Sequence, residues 1–229
     1  MSDEDLREAE RLAAYGEHES VRRYMALACR SGLIGHDALS VANACGCRCA
    51  AEVLGSTTSV PSSLEPRELF EQLFNATGRP GVCSLMVILA RRAWEMLGDV
   101  PPEAIGADIA VQAANDLLRC PCETHASIAE DAGYEMTALG ENPEVSVVEA
   151  GGLSFYAAWE TADAYRRPHE QAQTNHLGHF LRSLQLAYGS PDSVARSVNA
   201  ARSVLARQEL GSLVVCNTCP AASAGCRVD

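Results

Sequence analysis

The stretch Cys83-Ser84-Leu85-Met86-Val87-Ile88-Leu89-Ala90-Arg91-Arg92-Ala93-Trp94-Glu95-Met96-Leu97 is the most apolar of the chain. Its unbroken apolar run, Leu85 to Ala90, is closed by two arginines and is far too short to cross a bilayer. The segment therefore reads as a helix that crosses a protein core. Pro101-Pro102 ends it and opens a second helix carrying Ile105, Ile109, Ala113 and Leu117. Upstream, Pro66 suits the first position of a helix with Leu69, Leu73 and Phe74 along one stripe.

The same helical spacing recurs outward in both directions. Leu6, Ala9, Leu12 and Ala13 form one stripe, with Ser2 and Asp5 as a capping box. Val21, Tyr24, Met25 and Ala28 form another, which Gly32 and Gly35 punctuate. Residues 40–64 read as a short helix followed by a loop, and 126–139 as a weaker helix. Val145 to Val148 reads as a short strand or plain extended chain. Later stripes are Phe155, Ala158, Trp159 and Ala162, limited by Pro168, and then Leu177, Phe180, Leu181, Leu184 and Tyr188. Ser190-Pro191 reads as an N-cap and first helical residue before Val194, Val198, Ala201 and Leu205, with Gly211 as the stop. The expected fold is all-α: one helical domain over residues 1–229, a compact bundle of about eight or nine helices. Residues 211–229 form its irregular, cysteine-containing C-terminal tail.

The 229 residues are enough for a sizeable core without covalent staples, so the ten cysteines need another explanation, or none. The formal charge of -12, from 30 acidic and 18 basic residues, argues against binding a nucleic-acid backbone or an anionic membrane. Every basic residue is arginine, so Schiff-base chemistry lacks an internal lysine and a GxxxxGK[ST] phosphate loop is excluded. The acidic start, Met1-Ser2-Asp3-Glu4-Asp5, lacks a secretory signal pattern, and the expected location is the reducing cytoplasm. There is no HExxH, no GxSxG and no GxGxxG, and no histidine follows a carboxylate by three residues.

Three clusters hold eight of the ten cysteines. Cys216-Asn217-Thr218-Cys219 has the best metal spacing, with Cys226 as a third ligand. A fourth would come from Cys120, Cys122 or the first cluster. Cys45-Gly46-Cys47-Arg48-Cys49 needs a turn before its alternate residues converge, which Gly46 eases. The bland reading makes these three cysteines small buried residues at a helix end. Cys120-Pro121-Cys122 follows a helix that Pro121 breaks, and His125 is near enough to complete a three-ligand set. Cys120 with His125 as a catalytic couple, and His125 as an ordinary surface residue, are the competing readings. Thiolate-rich sites suit zinc, cuprous copper or an iron-sulfur cluster. Cys29 and Cys83 read as core residues.

His176 lies at the edge of the late apolar stripe, and His179 lies toward the opposite side of the same helix. The run Asn175-His176-Leu177-Gly178-His179-Phe180-Leu181-Arg182-Ser183-Leu184 resembles a motif of the cytoplasmic chaperones that mature molybdenum oxidoreductases. In those all-helical, acidic proteins the motif reads Asp-His-Leu followed by helically spaced apolar residues. Here Asn175 replaces the Asp, and the family's earlier signature rich in Pro, Tyr, Glu and Ser is absent. The resemblance implies an accessory protein whose Asn175, His176 and His179 contact a protein client, such as a redox enzyme or its leader peptide. Cysteine clusters are not a general feature of that family. They support a second expectation, a metalloenzyme of unfamiliar type with a Cys/His-ligated zinc or iron-sulfur centre, and a third, a thiol-redox protein.

Overall fold

The computed structural model describes residues 3–56, 65–98, 105–135, 145–168 and 174–210. Eleven helices and no strand occur among these residues, and none of the helices is long and apolar enough to cross a membrane. They fall into two compact units, Met1–Thr77 with the residues from Val198 onward, and Gly78–Ser197.

The first unit contains α1 (Asp3–Ala13), α2 (His18–Arg30), α3 (His36–Ala44), α4 (Arg48–Val53) and α5 (Pro66–Thr77). The region read as one short helix and a loop holds two helices, α3 and α4. Gly46 separates them because its φ of 89° lies in the left-handed region, where a side chain is disfavoured. Helix α2 buries Val21, Tyr24, Met25 and Ala28 and packs on α1 and α4, while α3 packs on α4 and α5. The buried Arg202 fastens a late segment of the chain to this unit. It donates to the carbonyl of Cys45 at 3.3 Å, and its guanidinium is steadied by Asn199 at 3.1 Å.

The second unit contains α6 (Arg79–Leu97), α7 (Ile105–Arg119), α8 (Glu123–Glu135), α9 (Val145–Arg166) and α10 (Thr174–Tyr188), with the start of α11 (Pro191–Glu209). The apolar stretch from Cys83 to Leu97 is the body of α6, and Leu85, Met86 and Leu89 are fully buried. The hub is nevertheless α9, which packs against α6, α7, α8 and α10. It is surrounded on most sides, so it buries small residues all round: Ala150, Ala157, Ala158, Ala162 and Ala164. Val145 to Val148 begin this helix rather than a strand. The helix penalty of β-branched residues is small, and packing of the turns that follow overrides it.

Among the side-chain bonds that tie α6 to its neighbours, two come from aromatic residues. Trp94 donates its indole N–H to Ser154 at 2.8 Å, and Tyr188 donates its hydroxyl to the carbonyl of Leu89 at 3.0 Å. At the start of α11 the backbone N–H of Ser193 donates to Ser190 Oγ at 3.2 Å, which is the N-cap bond expected of Ser190-Pro191. Ser190→Ala is expected to lower stability by about 1 kcal/mol, whereas Ser190→Gly costs only a few tenths. Urea denaturation of the unaltered protein and both variants, compared by midpoint, checks the difference.

Candidate metal centre

The centre is built at the junction of α7 and α8. The N–H of Cys120 still bonds to the carbonyl of Asp116 at 2.8 Å, so Cys120 closes the last turn of α7. Pro121 has no N–H to continue the helix, and the chain turns there. Cys122 then accepts at its carbonyl from the N–H of Ala126 at 3.0 Å, which makes it the N-cap of α8. His125 follows three residues after the cap, so helical geometry returns its ring to the side chain of Cys122.

The resulting contacts are short. His125 Nδ1 lies 3.1 Å from Cys122 Sγ and 3.0 Å from the carbonyl of Cys120. A carbonyl can only accept, so the latter hydrogen bond places a proton on Nδ1 and leaves the Nε2 lone pair for another partner. One ligand atom each from Cys120, Cys122 and His125 lie within 4.8 Å of one another. Among the described residues this is the only such group of three or more His, Cys, Asp or Glu side chains. Cys120 is exposed, and Cys122 and His125 are partly exposed, so an ion can reach the site from solvent.

The first turn of α8 is also clamped. Arg166, in the last turn of α9, donates to Glu123 at 2.8 and 3.1 Å and to Glu130 at 2.6 Å. The clamp orients the helix end that carries Cys122 and His125, and it neutralises the two carboxylates nearest to them in sequence on that helix.

The other candidate residues are placed differently. Cys216, Cys219 and Cys226 lie outside the described residues, as does Gly211. Cys45 is the C-cap of α3, Cys47 the N-cap of α4, and Cys49 lies within α4; all three are buried. None of the three joins a group of three potential ligands among the described residues. Burial pushes the thiol of Cys45 up to about 12, and that of Cys83 equally to about 12, so these two are poor ligands and poor nucleophiles. Cys29 is partly exposed.

On α10, His176, at the edge of the apolar stripe, is partly buried, and His179 is exposed. The His176 ring packs edge-on against Trp159, with centroids 4.1 Å apart, and its Nδ1 faces the buried Glu160 carboxylate at 3.7 Å. Burial, then His179 and the cations Arg79 and Arg167, hold the His176 imidazole below its ordinary range. His179 is exposed and stacks on the ring of Tyr156 at 5.7 Å. The side chain of Asn175 lies outside the described residues.

Two further groups of polar side chains have no signature in local spacing. Arg79, Glu160 and Asp163 meet inside the second unit. Cys49 and Glu52 meet His18 inside the first. Each set joins residues from helices far apart in the chain, so no short motif announces it. No protein-family model, no curated protein and no solved structure matches this chain.

Proposed function

We propose that the protein binds a single soft transition-metal ion, zinc or cuprous copper, through Cys120, Cys122 and a ring nitrogen of His125. The observation that carries this reading is the mutual spacing of the three ligand atoms, all within 4.8 Å. In a tetrahedral zinc site with metal–sulfur bonds of about 2.3 Å, neighbouring sulfurs are about 3.8 Å apart. The three groups therefore need only a small contraction to take one ion. A multi-iron cluster spreads its thiolates over separate irons, so the tight spacing favours a single ion over an iron-sulfur cluster.

No fourth His, Cys, Asp or Glu joins the group among the described residues. A three-ligand ion with an exposed face has room for a water or a small exchangeable ligand, which is the pattern of reactive rather than closed structural zinc sites. This supports a metalloenzyme or metal-handling role more directly than a purely structural one. The accessory role in maturing a metal-containing redox enzyme draws its support from the same feature, because an ion held by three groups can be passed on. Pull-down under reducing conditions tests that second reading, and recovery of no redox client would end it.

The metal reading is tested on the full chain, purified anaerobically, stripped and titrated with zinc and with cobalt as a spectroscopic substitute. One equivalent of ion and a cobalt spectrum with thiolate charge-transfer bands are expected. Binding should weaken as pH falls, because both thiols and the imidazole must be deprotonated to ligate. A protein that retains no ion, or one that carries a multi-iron chromophore, contradicts the reading.

A further inference from the structure

A second cluster lies in the first unit, between α2 and α4. Cys49 Sγ is 3.4 Å from His18 Nδ1, across 31 residues of chain. His18 Nε2 is 2.9 Å from Glu52 Oε1, across 34 residues. Arg22 Nε approaches the other Glu52 oxygen at 3.7 Å, and Arg22 is itself held by Glu19 at 2.5 Å. Thiol, imidazole and carboxylate thus stand in line, with the two ring nitrogens facing opposite partners.

The order of these groups determines where the protons sit. A carboxylate only accepts, so Glu52 holds a proton on Nε2 and turns the Nδ1 lone pair toward the sulfur. Transfer of the Cys49 proton to Nδ1 gives a thiolate beside an imidazolium, which Glu52 stabilises from the far side. This is the geometry by which a base and an orienting carboxylate activate a nucleophile. The carbonyl of His18, 3.4 Å from Cys49 Sγ, can hold the thiol hydrogen in the resting neutral form. Cys45, four residues earlier, is also buried, but it lies under the Arg202 side chain rather than beside an imidazole.

Burial selects the reagent. Cys49 is wholly buried, while the side chains of His18 and Glu52 are 32% and 50% exposed. A peptide or a bulky acyl group cannot reach the sulfur, whereas a molecule the size of hydrogen peroxide needs only a small opening. We propose that Cys49, His18 and Glu52 form a hydroperoxide-reactive site, with Cys49 the nucleophile, His18 the proton donor and Glu52 a positioning residue. The Cys49 thiolate attacks one peroxide oxygen; a sulfur–oxygen bond forms and the oxygen–oxygen bond breaks. The sulfur is oxidised by two electrons to a sulfenic acid, and the leaving oxygen takes the imidazolium proton and departs as water or an alcohol. The site is separate from Cys120, Cys122 and His125 and does not depend on their binding an ion.

The test uses the full reduced chain, treated with stoichiometric hydrogen peroxide in the presence of a sulfenic-acid trap and mapped by peptide mass spectrometry. Labelling is expected first at Cys49, with Cys45 and Cys83 unlabelled. His18→Ala should slow it by about 10²-fold, the usual scale of acid–base assistance. Glu52→Gln, at a half-exposed position where folding is little affected, should shift the pH profile of labelling toward that of an ordinary thiol. Cys120→Ser with Cys122→Ser should leave labelling at Cys49 intact. Preferred labelling at another cysteine, an unchanged pH profile in Glu52→Gln, or loss of the reaction in the Cys120/Cys122 double variant would overturn the proposal.

Discussion

Arg79→Ala is expected to lower the stability of the protein by about 3–5 kcal/mol, the scale for breaking a buried ion pair from one side. Arg79 is wholly buried at the start of α6. Its guanidinium donates to Glu160 at 3.0 and 2.5 Å, to Asp163 at 2.6 Å and to the carbonyl of Arg167 at 3.1 Å. Asp163 keeps a second cation, Arg167, when Arg79 is removed. Glu160 keeps only the weaker, unbonded pull of Arg167, because its other oxygen is buried without a hydrogen-bond partner and faces His176. For a domain of this size the loss corresponds to a melting-temperature decrease of about 6–20 °C.

The loss should also depend on pH, with a definite sign. Burial already holds the Glu160 carboxyl above its ordinary range, and Arg79 opposes that shift. Without Arg79 the folded-state value rises further. A carboxyl raised in the folded state contributes stability at low pH that is lost as pH rises through its folded value. The gap between wild type and Arg79→Ala should therefore widen from acidic to neutral pH. Thermal melts across that range check this, and an equal gap at all pH values would show that lost packing, not the stranded carboxylate, accounts for the effect. Arg79→Met combined with Glu160→Leu should regain much of the deficit, since the buried charge disappears with its partner.

Cys122→Ser is expected to weaken ion binding by at least about 10²-fold, more than the loss of a residue that merely orients a ligand usually costs. Cys122 is the N-cap of α8 and touches His125, so it supplies one ligand and also fixes the distance to another. Serine can keep the cap but replaces a soft thiolate by a hard, neutral hydroxyl. Cys120→Ser and His125→Ala should each weaken binding comparably. Thr124→Ala, on the exposed side of the same turn, should leave it unchanged. Competition against a chromophoric chelator measures all four. Affinity retained in Cys122→Ser but lost in Cys216→Ser with Cys219→Ser would move the centre to the end of the chain.

Local features of this protein are written in short spacings. The stripe at residues 21–28 and the cap at Ser190 depend on neighbours within one or two helical turns and are found where periodicity places them, whereas in α5 Phe70 is buried and Phe74 only half-buried, Leu177 and Leu181 of α10 are half-buried, and Ile109 of α7 is exposed. Cys120, Cys122 and His125 belong to the same class. A helix end, a proline and a new N-cap bring residues three and five apart together whatever the rest of the chain does. Val145 to Val148 are ambiguous by spacing because four residues are too few to show a period; valine leans toward a strand, and the packing around α9 decides for helix.

The remaining chemistry is tertiary. Arg79 meets Glu160 and Asp163 across 81 and 84 residues, and Cys49 and Glu52 meet His18 only because α2 packs on α4. Spacing alone cannot single out Glu52, which is one of many exposed acids until a histidine from another helix is set beside it. An all-helical chain and one compact Cys/His turn are legible in the order of residues, because both follow from geometry within a few positions. Which charges are buried together, and that Cys49 has an imidazole at its side, is settled by helix packing, because those contacts depend on how distant helices share a core.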